Sequence, residues 1–220
     1  MLYCGMKSIA LRQIMPSIEQ IEAQLQQRIA AYPHTAWGRK QNDHWDQQTN
    51  FVYRIYRWDD LQQRIKGIAP PVRQYAVNRW FSFWSAKAIE RIFCELPGVT
   101  ANLNQYDRLV DFTILGIKFD HKTSVFPKRY GHTLGFARKN RTHLIRWLYQ
   151  HQSRQQRYHA ANRLFVILYA SDGEHWKLRA DISGLRQVVS RYRTGFDPSK
   201  LASLTIDDDH VFSDIVWFAK

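Results

Sequence analysis

Apolar residues recur at Ile18, Ile21, Leu25 and Ile29 within Ser17–Ala31, and Ser17 stands where a helix needs an N-cap. That spacing predicts an amphipathic helix, which Pro33 ends. The polar, aperiodic stretch 37–50 (WGRKQNDHWDQQTN) reads as a loop. FVYRIYRW (51–58) reads as a strand or the opening of a helix, and DDLQQRIK (59–66) as a helix. Pro70 and Pro71 in GIAPPVRQ are the clearest punctuation in the first half. A mainly helical N-terminal extension is therefore expected over residues 1–75 and a core over 76–220.

The second half is more regular. VNRWFSFWSAKAIERIFCEL (77–96) predicts a helix ending before Pro97-Gly98, and Val99–Asn104 a short strand. Val110–Ser124 (VDFTILGIKFDHKTS) predicts two strands joined at Leu115-Gly116, and Pro127 and Gly131 mark a turn. A long polar helix is expected from about Ala137 to His159. RLFVILYA (163–170) is continuously apolar, the signature of a strand buried on both faces. DISGLRQVVSRY (181–192) predicts another helix and HVFSDIVWFA (210–219) a last strand. This is an α/β order, with no internal repeat.

The hairpin carries the candidate chemistry. A two-residue turn at Leu115-Gly116 pairs Ile114 with Ile117 and Phe112 with Phe119, and the same register sets Asp111 opposite Asp120, with Cβ atoms ~5 Å apart. Side chains alternate between faces, so Asp111, Asp120 and Lys122 share one face while Phe112, Ile114, Ile117 and Phe119 line the other. Two carboxylates across a strand pair repel unless something positive lies between them. Lys122 supplies one charge. Mg²⁺, a hard cation that takes one or two carboxylates and completes its shell with water and phosphate oxygens, would supply more.

An Asp, a turn, then Asp-x-Lys on the next strand resembles the PD-(D/E)xK nuclease superfamily. The resemblance implies a restriction-endonuclease-like core: helix, three-stranded meander, helix, strand, with a mixed central sheet flanked by helices. It covers about the second half of the chain. By it, Asp111 corresponds to the first metal-binding Asp, Asp120 to the acid of the (D/E)xK motif and Lys122 to its lysine. Glu90, on the preceding helix, matches a further acid that many members add. The implied activity is Mg²⁺- or Mn²⁺-dependent hydrolysis of phosphodiester bonds in DNA, double-stranded DNA above all. The chain departs from the family pattern at Val110, where the signature has proline, and at His121, a position usually apolar. Many such nucleases dimerise to cut both strands, but no residue here specifies a homodimer.

Composition narrows the partner. The chain of 220 residues is 45% apolar and 14% aromatic, which suits a packed domain, and its 32 Lys and Arg against 19 Asp and Glu leave a formal charge of +13. That excess favours a polyanion, nucleic acid first. From His121 to Ala170 there is no Asp or Glu, only Lys122, Lys128, Arg129, Arg138, Lys139, Arg141, Arg146, Arg154, Arg157 and Arg163. Of these, Lys128, Arg129, Arg138, Lys139, Arg141, Arg154 and Arg157 are expected to hold the phosphate backbone. The run Gln150–His159 (QHQSRQQRYH) offers side chains able to reach base edges, and Trp37 and Trp45 offer stacking surfaces. The nine His show no zinc-ligand spacing, and Trp80, Trp84 and Trp147 read as core.

Two cysteines make neither a disulfide framework nor a thiolate metal site. With no signal peptide or membrane-spanning run in the sequence, a cytoplasmic protein without a membrane partner is expected. Two alternatives stay open: a nuclease-like fold that binds nucleic acid without chemistry, and the same site acting on RNA.

Overall fold

The computed structural model describes residues 16–33, 42–104, 107, 109–152, 161–206 and 208–220. Helix α1 (Ile18–Ala31) starts with a reciprocal cap: the Gln20 amide donates to Ser17 Oγ at 3.1 Å, and the Ser17 amide to Gln20 Oε1 at 2.7 Å. Helix α2 (Asp43–Gln48), capped by Asn42, replaces the loop expected there, because a six-residue helix is too short to show a period. Residues 51–58 form neither a strand nor a helix start throughout. A 3₁₀ turn covers Asn50–Tyr53, and helix α3 (Trp58–Ile65) begins at the last of them.

Helix α4 (Pro70–Cys94) starts seven residues before the expected Val77, since Pro70 and Pro71 occupy its first turn, where a missing N–H leaves no bond unmade. The division expected at residue 75 thus falls inside one continuous helix. Ile18, Ile21, Leu25, Val52, Trp58, Leu61 and Ile65 join one core with α4 and the sheet. Trp80 and Trp84, both buried as expected, donate indole N–H bonds to the Ile55 carbonyl at 2.7 and 2.9 Å and tie α4 to that N-terminal segment.

The chain then forms β1 (Val99–Ala101), β2 (Phe112–Ile114) and β3 (Ile117–Val125), an antiparallel meander. The long helix expected from Ala137 is instead α5 (Leu134–Lys139) and α6 (Arg141–Gln152), separated at Asn140, whose backbone N–H and side-chain amide both donate to the Phe136 carbonyl. Strand β4 (Arg163–Tyr169), helix α7 (Ile182–Thr194), strand β5 (Ala202–Ile206), where no element is expected, and β6 (Asp209–Ala219) complete the fold.

The sheet is six-stranded and mixed, in the order β1-β2-β3-β4-β6-β5, with β4 parallel to both β3 and β6. Residues of β4 alternate between two cores. Leu164, Val166 and Leu168 face α1, α3, α4 and α7, while Phe165 and Ile167 face α5 and α6. The continuous apolar run is the consequence of this two-sided burial. Among the described residues no helix is long and apolar enough to cross a membrane.

Candidate active site

The hairpin forms in the expected register: Ile114 pairs with Ile117 and Phe112 with Phe119. Leu115 (φ 47°) and Gly116 (φ 88°) both take the left-handed conformation that two-residue hairpin turns require. Phe112, Ile114 and Phe119 are fully buried against α4, where Phe93 stacks on Phe112 with centroids 4.7 Å apart. His121 lies on the same side, within 6.3 Å of both rings, and its Nε2 is 2.8 Å from Thr123 Oγ1. Burial drives its pKa down to about 3, so the imidazole is neutral and serves as packing.

Asp120 and Lys122 share the opposite face, as alternation requires. Lys122 Nζ lies 2.6 Å from Asp120 Oδ1. Asp111 departs from simple opposition to Asp120, because the regular ladder stops at Phe112–Phe119. The Asp111 amide donates to the Phe119 carbonyl at 2.8 Å, and Asp111 Oδ2 accepts the His121 amide at 2.7 Å. A short polar side chain here competes with the ladder for backbone donors. Upstream, Asn102 Nδ2 donates to Asp107 Oδ2 at 2.9 Å and to the Val110 carbonyl at 2.8 Å, which ties down the approach to Asp111.

The two carboxylates remain electrostatic neighbours. Burial holds the Asp120 pKa above the usual range, Lys122 and Arg163 draw it down, and the Asp111 charge pushes it up. Arg163 heads β4, directly beside Asp120 in the parallel register, with Nε 3.5 Å from Asp120 Oδ2 and the guanidinium 4.8 Å from the Tyr149 ring. This residue was visible only as the last of the basic run. A charge at the head of an apolar strand was the one available signal, since its pairing is set by a parallel contact about forty residues away in sequence.

Glu90 lies on α4, where its charge and that of Asp111 add to burial in raising the pKa of Cys94, but both its oxygens are engaged by Lys87 Nζ at 2.8 and 3.1 Å. Among the described residues no three His, Cys, Asp or Glu side chains gather as a metal-binding group, so Glu90 is not brought into a ligand set with the two aspartates. Asp111 and Asp120 nonetheless suit Mg²⁺ or Mn²⁺ by chemistry: both are hard oxygen donors, and Asp120 carries a desolvated charge that a cation offsets.

The expected phosphate contacts divide. Lys128, Arg129, Arg138 and Lys139 are exposed near the start of α5 and along it, with Arg138 5.8 Å from the Trp217 ring. Arg141 is already engaged, 2.7 Å from Asp214 Oδ1 and donating to the Lys200 carbonyl. The basic run is therefore not one uniform surface, since Arg163 is buried and Arg141 braces β6. Trp45 is half-buried with its ring edge-on to Tyr75 at 5.5 Å, and Trp147 is half-buried beside His151. Arg154, Arg157, Trp37 and most of Gln150–His159 lie outside the described residues. Compared with protein-family models, curated proteins and solved structures, the chain matches none.

Proposed function

We propose that the chain is a metal-dependent nuclease with a restriction-endonuclease-like core, hydrolysing phosphodiester bonds in DNA. The order α4, β1-β2-β3, α5-α6, β4 agrees with that core. The observation that carries the reading is the placement of Asp120 and Lys122 side by side on one face of β3, with the Asp111 carboxylate close enough to raise the pKa of Asp120.

Asp111 and Asp120 would hold Mg²⁺ or Mn²⁺. When bound, such an ion polarises a phosphate and lowers the pKa of an attacking water. Lys122, with its side chain 44% exposed, is the group that reaches the phosphate or the water. Arg163, buried beside Asp120, adds to the Lys122 charge in favouring the ionised carboxylate against the cost of its burial. Cutting both strands at one position takes two such sites, which a homodimer would provide. The test is Mg²⁺-dependent cleavage of supercoiled plasmid, linear duplex and RNA by the wild type and by Asp111→Ala, Asp120→Asn and Lys122→Ala.

A second reading, nucleic-acid binding without hydrolysis, is favoured by one observation: Glu90 is paired with Lys87 rather than gathered with the aspartates. Metal titration separates the two. The catalytic reading requires Mn²⁺ binding that depends on both Asp111 and Asp120.

A further inference from the structure

Asp120, Lys122, Ser124 and Phe126 follow one another on the same side of β3 and its extension. Phe126 continues the strand's pairing, donating its amide to the Leu168 carbonyl at 2.8 Å, and packs with the α5-α6 core. Just beyond it lies an open pocket of about 510 Å³, lined by Phe126, Lys128, His132, Thr133, Phe136 and His175 among others, with no acidic residue among the described residues of its wall. That volume is in the range of small-ligand sites.

The wall has a specific chemistry. His132 stacks on Phe136 with centroids 4.2 Å apart and planes 17° apart, and both rings are exposed, Phe136 by 37%. Tyr130 supports this pair from beneath: its ring is 5.1 Å from His132, and its hydroxyl is 2.9 Å from His143 Nδ1. His175 Nδ1 accepts the Ala170 amide at 2.9 Å, which fixes that ring in the wall. A solvent-facing stacked pair beside one ammonium suits a ligand with a flat ring and a negative charge.

We propose that this pocket takes an unpaired base of a DNA strand, stacked on an outer face of the His132–Phe136 pair, with the adjoining phosphate on Lys128. The inference rests on the nuclease reading for its substrate class. It adds a subsite whose near wall, Phe126, lies ~13 Å from Lys122, four strand residues along β3, or about four steps of a stacked strand. A substrate with a single-stranded or splayed segment beside the cut is then preferred over a blunt duplex, because stacking a base outside the duplex costs unpairing energy that a single strand does not pay.

The test uses the full chain in metal-free buffer with a short single-stranded oligonucleotide carrying 2-aminopurine, read by anisotropy and emission. The wild type should bind and quench the probe. Phe136→Ala should weaken binding roughly tenfold or more and remove the quench, whereas Phe136→Tyr keeps both and blunt-duplex binding changes little. A Phe136→Ala protein with an unaltered melting curve that quenches like the wild type, or loses single strand and duplex equally, overturns the base site, as does a wild type that quenches no oligonucleotide. If Asp120→Asn cleaves plasmid normally while Phe136→Ala loses the quench, the nuclease assignment falls and the base site stands.

Discussion

Replacing Arg163 with methionine removes the cation behind Asp120 while nearly keeping the volume. Its side chain is 9% exposed, as is that of Asp120, and the pair is held by charge alone, since Arg163 Nε makes no hydrogen bond among the described residues. Breaking a buried pair by deleting one partner usually costs about 3–5 kcal/mol, because the remaining charge stays buried. Lys122 still contacts Asp120, so a loss near the lower end, ~3 kcal/mol, is expected. Lys122→Met should cost less than this, because Lys122 is 44% exposed and water can take the place of its ammonium beside Asp120. Cleavage should show the reverse order, with Lys122→Met abolishing activity and Arg163→Met retaining part of it when folded. Urea denaturation of both variants, alone and with Asp120→Asn, gives the comparison. In the Asp120→Asn background the Arg163→Met loss should shrink, since no buried carboxylate is left uncompensated. An Arg163→Met protein as stable as Lys122→Met, or a loss unchanged by Asp120→Asn, would mean that Arg163 does not stabilise the buried carboxylate.

Leu25→Ala should cost about 2–5 kcal/mol and shift far-UV circular dichroism and tryptophan fluorescence together, because α1 shares its core with the sheet; two separate transitions would mean the N-terminal helices fold on their own. Burial, with the Glu90 charge adding to it, pushes the Cys94 thiol up to about 11, so at pH 8 iodoacetamide should modify the Cys94 peptide only after unfolding; rapid labelling of the native protein would contradict this. Burial lowers the His175 pKa below 6.5, so the unfolded chain takes the proton first and stability is lost as pH falls below 6.5. His175→Leu should therefore lose less stability than the wild type between pH 7 and pH 5, and equal losses in urea melts would remove this residue as a cause.

Where local pattern decided the outcome, the sequence was readable. Alternation from Phe112 to Phe119 and the Leu115-Gly116 turn were enough to set the hairpin's register and faces. The same alternation carries Asp120 and Lys122 to one face. It failed one residue further, at Asp111, because that amide and carboxylate bond elsewhere than the regular ladder. Pro70-Pro71 signalled a break, and they mark the start of helix α4. Asn140 interrupted the expected long helix without a proline or glycine, through its own bonds to Phe136. The roles of Arg163 and Arg141 were not legible in a run of basic residues, because both depend on strands that meet only in the folded sheet.

Nicking of supercoiled plasmid in Mg²⁺ by the wild type, with Asp120→Asn and Lys122→Ala proteins of verified fold as controls, decides whether the hairpin site hydrolyses DNA. Cleavage that requires the metal and vanishes in both variants is the expected result. Undiminished cleavage by either variant, or a wild type that binds the plasmid and leaves it intact in Mg²⁺ and Mn²⁺ alike, would contradict the account.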